Sequence, residues 1–333
     1  LDPNTTPAGT PATLEDLHGI NLMTVTEKGT MTKSQQQIPF FKAHGLGNDF
    51  LVVEFGALPD SGEEALKNIA IQMCDRHRGV GADGVAYIFE GSDYPQLDFS
   101  IRLFNSDGSE TDMSGNGIRC AAAVHHWKNP GATKEIVLGS FAGRRTLRLL
   151  RQEGARFIYS AEMGVPGFKK EDIPFLDDGL APSKGRLKGL DVVGIPVPVQ
   201  DRPFEITAMF VGNPQCIALT DHFNFDWQRY GQALETHPRF PNKTNVEFVR
   251  VVDEHTLEIR IWERGAGHTE SSGTGSIASA LGAILNGRAS SPVHVITEGG
   301  ELEVEWKGIG HTVFLTGEAE VIGEGVFYCR KAF

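Results

Sequence analysis

Two short stretches carry the residue types and spacing of an anion-binding turn: Ser114-Gly115-Asn116-Gly117 and Ser272-Gly273-Thr274-Gly275. In each, serine, glycine, one polar residue and glycine give way to small and apolar residues, at 118–124 and 277–281. Alanine-rich sequence of that kind favours helix, and a serine just ahead of it suits the N-cap. The first backbone N–H groups of a helix have no internal partner and sit at the positive end of its dipole. Glycine lets a ligand approach them, so such a turn can hold a carboxylate or phosphate. One copy alone is an ordinary helix start. Two copies, each following a β-rich run (99–104 and 257–262), point to an internal duplication. If the halves face each other, two helix N-termini converge on one anion.

The elements that must position these turns are legible in outline. The chain has 333 residues, 40% hydrophobic and 22% charged, longer than one comfortable core, so two domains are expected. A net charge of −12 argues against nucleic acid or an anionic membrane as partner. The four cysteines (Cys74, Cys120, Cys216, Cys329) lack metal-ligand spacing, so no metal is expected, and no long apolar span occurs. A reducing, cytoplasmic setting follows. Residues 1–38 are polar and aperiodic and read as a flexible extension, with Met23 or Met31 as candidate native starts and no secretory signal.

From residue 39 the chain alternates strand-like runs and turns. Helical spacing of Leu66, Ile69, Ala70 and Met73 predicts a helix over 63–74, and a second is expected over 227–235. Strands are expected at 85–89, 97–104, 135–138, 144–151, 204–211, 244–249, 257–262, 293–298, 302–306 and 313–316. Residues 212–216 read as a turn that ends a strand, and 164–194, rich in Pro and Gly, as a domain junction or surface insertion. The glycine-dense run Gly79 to Gly84 lacks the Lys-Ser/Thr of a P-loop and precedes a strand, which excludes a nucleotide site there.

In this order the motifs resemble the diaminopimelate epimerase family. The matching blocks are His44-Gly45-Leu46-Gly47-Asn48-Asp49-Phe50, the Gly79 to Gly84 run, Asn105-Ser106-Asp107-Gly108-Ser109-Glu110 and Gly115-Asn116-Gly117. They continue with Gly212-Asn213-Pro214, Thr244-Asn245-Val246-Glu247-Phe248, Glu263-Arg264-Gly265-Ala266-Gly267 and Ser272-Gly273-Thr274-Gly275, so that the resemblance covers about 39–330. It implies an α/β (α+β) fold of two pseudo-symmetric domains, each a mixed sheet around a central helix, with the ligand between them. The domains would run 39–158 plus 319–333, and 159–318. It further implies a cofactor-free amino-acid isomerase of lysine biosynthesis, acting on a small amino acid or carboxylate and forming a homodimer. In that family one cysteine thiolate removes the α-proton and a second cysteine returns one. Both sit at helix N-termini, where a thiol becomes more acidic.

Here the sequence departs from the family. Ser114 and Ser272 stand at the two cysteine positions, Gln215 replaces a histidine that assists the first, and His268 replaces a glutamate, whereas Glu263 is kept. Two Cys→Ser changes alone would suit an inactivated enzyme, but the changes at Gln215 and His268 have no such purpose and favour natural divergence. The residues matching the substrate pocket survive: Asn48, Asn105, Asn213, Asn245 and Arg264, with Gly115, Asn116, Gly273 and Thr274 as carboxylate donors. A lone asparagine is often a turn residue bonded to its own backbone; five together with an arginine able to grip a carboxylate bidentately point to binding. A serine hydroxyl needs a strong neighbouring base, and Glu263 or His268 would serve beside Ser272. Nothing comparable stands beside Ser114, because Gln215 cannot take a proton. The expected activities are therefore an isomerase with altered acid–base groups, a one-base lyase, dehydratase or isomerase on another small carboxylate, or an inactive amino-acid-binding homologue.

Overall fold

A computed structural model describes residues 36–58, 62–90, 96–111, 113–141, 143–176, 190 and 192–329. The first half of the chain runs β1 (Gln36–Gly45), β2 (Asn48–Glu54), α1 (Glu63–Cys74), β3 (Gly84–Phe89), β4 (Phe99–Asn105), β5 (Glu110–Thr111) and α2 (Gly115–Lys128). It continues with β6 (Glu135–Ser140), β7 (Gly143–Glu153) and β8 (Arg156–Glu162). After β9 (Ile195–Val199) the same order returns: β10 (Arg202–Phe210), β11 (Pro214–Leu219), α3 (Trp227–Glu235), β12 (Asn245–Asp253), β13 (Thr256–Glu263) and β14 (Gly267–Thr269). Then follow α4 (Gly273–Leu285), β15 (Val293–Thr297), β16 (Gly300–Trp306) and β17 (Val313–Cys329). The duplication read from the two turns thus extends to the topology. β2 and β3, and β4 and β6, pair in parallel, and so do their counterparts β11 and β12, and β13 and β15.

Each half wraps its sheet around a helix that is buried along most of its length and lined chiefly by small and apolar side chains. In α2 the residues Ile118, Cys120 to Ala123 and Val124 are buried, and in α4 Ile277, Ala278, Ala280, Leu281 and Ala283. Around α2 the strands close a circuit, β1-β2-β3-β4-β6-β7-β8-β17 and back to β1. The outer helices α1 and α3 each cover the far face of one half: Leu66, Ile69, Ala70 and Met73 of α1 are buried as their spacing predicts, and Tyr230 and Leu234 of α3 are buried. The expected crossing points between halves fall inside β8 and β17, where Ile158 pairs with Glu318.

Four differences from the sequence reading have physical causes. The expected extension of 1–38 is corrected at its end, because Gln36 to Ile38 already pair with Phe327 to Cys329 of β17; residues 1–35 of it lie outside the described residues. The turn at 212–216 closes early: Gly212 takes φ 77°, and Pro214 already opens β11 as a first-strand residue. β17 continues far past 316 because it pairs with β8 and then with β1, and two of its glycines allow close approach: a Cβ on Gly317 would lie 2.4 Å from Leu302 Cδ2 and one on Gly325 2.8 Å from Phe40 Cζ. The flanks of 164–194 belong to the core. Gly167 pairs with Phe210, Phe168 packs on Trp306 at 5.9 Å, and Phe175 packs on Phe240 at 5.1 Å. Residues 177–189 and 191 lie outside the described set.

Candidate active site

The two serine-glycine turns meet. Ser114 and Ser272 are N-caps with nearly the same extended backbone (φ −139°, ψ 118° and φ −141°, ψ 125°). Their Oγ atoms accept from Gly117 N at 3.1 Å and Gly275 N at 3.3 Å. A Cβ added to Gly273 would lie 3.5 Å from Gly115 Cα, in van der Waals contact, so the two helix ends meet backbone to backbone at these glycines. Among the described residues, the N–H groups of Gly115, Asn116, Gly273 and Thr274 have no acceptor in the chain. Two helix N-termini with free donors at one point form an anion site.

The second turn carries the base. Ser272 is buried, and its hydroxyl hydrogen-bonds Glu263 at the end of β13. Burial pushes the Glu263 carboxyl up, the Ser272 hydrogen bond pulls it part of the way back, and the Asp83 charge adds to the rise. α3 fixes the following loop: its buried Glu235 accepts from Trp262 Nε1 at 2.8 Å and Gly265 N at 3.1 Å. Arg264 leaves this loop with its backbone N–H on Asn245 Oδ1 at 2.8 Å, while Nη1 donates to Asn242 O at 3.2 Å. Arg264, Asn213 and Thr274 line a polar cavity of about 160 Å³ together with Glu110, Thr111 and Met113. Glu110 in that wall is held by both arms of Arg102 at 2.6 and 2.7 Å.

Not every expected residue joins the cluster. His268 is turned away from Ser272: its Nε2 lies 2.6 Å from Glu298 Oε2, and its ring stands edge-on to Trp227 at 5.0 Å. Of the two bases expected for Ser272, Glu263 is the one in contact. Asn105 bonds within its own turn, donating to Ser109 Oγ at 2.9 Å. Asn48 and Asn116 are joined instead, Asn116 Nδ2 donating to Asn48 Oδ1 at 3.1 Å, and Asn48 Nδ2 to Asp83 Oδ2 at 2.9 Å. Asp83 also holds Arg76 at 2.7 Å. The four cysteines are free and buried, and burial pushes the Cys120 thiol up to about 12. Asp112 lies outside the described residues.

Glu247 has a place the sequence did not assign. It stands on β12 opposite Ile261 of β13, which puts its side chain on the same sheet face as Glu263 two residues further along. It is fully buried, and a Cβ on Gly275 would lie 2.8 Å from its Oε1. Burial, with the Glu263 charge second, pushes its carboxyl well above the ordinary range, so it is the neutral member of the pair. Gln215 on β11 bridges it to the cavity. Asn245 has its own oxygen on Arg264 N, so its nitrogen must meet the Gln215 oxygen, at 3.2 Å. In that orientation the Gln215 nitrogen donates to Glu247 Oε1 at 2.8 Å and its oxygen accepts from Thr274 Oγ1 at 3.1 Å. A sequence signal existed: a lone carboxylate between Val246 and Phe248 in a buried strand.

The diaminopimelate epimerase family model matches residues 40–168 and 207–322. The diaminopimelate epimerase of Pelotomaculum thermopropionicum is 37% identical over 292 residues, 87% of this chain and 99% of that protein. That of Pseudomonas syringae pv. tomato is 39% identical over 287 residues, 86% and 97% of the two. Among solved structures, a hydroxyproline epimerase from Agrobacterium vitis with bound trans-4-hydroxy-L-proline superposes with a TM-score of 0.62 at 12% identity, over 89% of this chain and 92% of that one. A methylitaconate-delta-isomerase gives 0.51 at 14% identity, over 90% and 99%. At those identities the structural likeness is one of fold.

Proposed function

The chain belongs to the diaminopimelate epimerase family, and we propose that it is a cofactor-independent amino-acid isomerase with rewritten acid–base groups. The observation that carries this reading is the meeting of two helix N-termini at Gly115 and Gly273 beside a buried base, Glu263, already hydrogen-bonded by Ser272. The free N–H groups of the two turns hold the reacting carboxylate and stabilise the charge that grows on it as the α-proton leaves. Glu263 accepts that proton, directly or across the Ser272 hydroxyl. Its raised pKa brings it closer to the working pH of a general base. Asn213, Asn245 and Arg264 grip the far end of an amino-acid substrate of the diaminopimelate type, Arg264 having donors to spare for a second carboxylate. A homodimer in the cytoplasm, serving lysine biosynthesis, is the setting this reading carries with it.

The opposite face favours one-base chemistry. Ser114 Oγ accepts from Gly117 N, and the Gln215 amide beside the site is no proton acceptor. The reaction then exchanges the α-proton more readily than it inverts the centre, which also suits a lyase, dehydratase or isomerase acting on another small carboxylate. NMR of diaminopimelate in deuterated water with the purified protein separates the readings. We expect label at the α-carbon with little inversion, and Glu263→Gln should slow it by roughly two to four powers of ten, with His268→Gln within a few-fold of the parent. Binding without any labelling would identify an amino-acid-binding homologue, and labelling that survives Glu263→Gln would remove Glu263 from the chemistry.

A further inference from the structure

Arg119, on the second turn of α2, is the largest side chain with no exposed surface among the described residues. Its guanidinium lies among three glycines: Cβ atoms at Gly45, Gly115 and Gly317 would come within 3.4 Å of Nη2, 3.6 Å of Nη1 and 3.1 Å of Cζ. Nε donates to the Glu318 carbonyl at 3.3 Å and Nη2 to Asn116 Oδ1 at 2.5 Å, while Nη1 has no partner. Among the described residues no carboxylate pairs with it; the Glu318 carboxylate is 3.4 Å from Arg156. A buried charge without a counter-ion is costly, and a fold built only for stability would fill this space with an apolar side chain. The orphan nitrogen lies instead at Gly115, the residue that touches Gly273 where the two helix ends meet.

Resting on the anion site proposed above, we infer that Arg119 is its positioning residue. From behind the helix N-termini it supplies a fixed positive charge to the bound carboxylate. By taking the Asn116 oxygen it also turns the Asn116 nitrogen toward Asn48. The chain of bonds Arg119–Asn116–Asn48–Asp83 then leaves each amide only one orientation. The negative charge of a bound carboxylate would balance the buried guanidinium.

The test uses acetate as the probe of the anion site, read by the backbone amide shifts of Gly115, Asn116, Gly273 and Thr274 in labelled protein, alongside diaminopimelate labelling. Arg119→Met keeps most of the volume and should fold. We expect its acetate affinity to fall roughly tenfold to a hundredfold, as for a unit charge several ångströms from a carboxylate at an effective dielectric of about 20. Arg119→Lys keeps a charge that burial can remove, since lysine loses its proton more readily than arginine. Its acetate affinity should match the parent at pH 6 and fall more steeply than the parent's as pH rises toward 9. The titratable neighbours are common to both proteins and cancel in the comparison: Glu263 and Glu247, pushed up by burial, stand beside the site in each, Glu318 is paired with Arg156, and Cys120 is pushed up to about 12. Should Arg119→Met fail to fold, the pH dependence of Arg119→Lys decides. Unchanged acetate affinity in Arg119→Met, a pH profile of Arg119→Lys parallel to the parent's, or no acetate response at the four amides of the parent overturns the inference. If the parent binds acetate there but labels no diaminopimelate, the isomerase reading fails and the role of Arg119 stands.

Discussion

Replacing Glu247 by glutamine tests whether this buried carboxyl keeps its proton. Its folded pKa lies well above the ordinary glutamate value, through burial and the Glu263 charge. Between about pH 4.3, the unfolded value, and that raised folded value, the native chain holds a proton that the unfolded chain has released. Stability contributed by the neutral form is complete below the unfolded pKa and is lost as pH rises, at up to about 1.4 kcal/mol per pH unit. Glu247→Gln keeps the oxygen that accepts from Gln215 and removes the proton equilibrium. Relative to the parent, the variant should therefore gain about 2 kcal/mol between pH 4.5 and 6. The Asp49, Glu235 and Glu258 carboxyls, whose pKa values are lowered, give the opposite slope but are common to both proteins. Urea unfolding of the pair at half-unit steps from pH 4 to 7.5 measures the difference directly. Parallel stability curves would show that Glu247 is ionised in the folded state and that the neutral–charged carboxyl pair does not exist.

Ser114→Cys with Ser272→Cys supplies two thiols at helix N-termini, yet on the proposed reading Gln215 stands in place of the first thiol's proton acceptor. Little epimerisation of diaminopimelate is expected until Gln215→His is added, which should raise the rate by roughly two to four powers of ten; full activity in the double variant alone would mark the serines as simple inactivation of an ordinary epimerase. Phe175→Ala removes a ring packed on Phe240 and should cost about 3–5 kcal/mol in chemical denaturation, whereas a change below 1 kcal/mol would return that segment to the surface.

Local chemistry was legible where one stretch suffices to specify it. The helices at 63–74 and 227–235 follow from apolar spacing and agree with α1 and α3 to the residue. The serine caps and the twofold repeat follow from Ser-Gly-x-Gly and the helix-favouring run behind it, because capping is a property of a few consecutive residues, whereas the central place of the two helices came with the family resemblance. The motif order was enough for the family. What tertiary structure decided was direction and company. Glu263 and His268 are five residues apart and equally plausible bases on paper; a strand end aims one at Ser272, and an adjoining hairpin gives the other to Glu298. The asparagines look alike in sequence, but Asn105 closes its own turn while Asn116 and Asn48 form one chain. Glu247 meets Gln215 and Arg119 meets Gly317 only because strands distant in sequence pair in register around two helices. Burial and partner choice are set by that pairing, and both the charge state of a carboxyl and the purpose of a buried arginine depend on them.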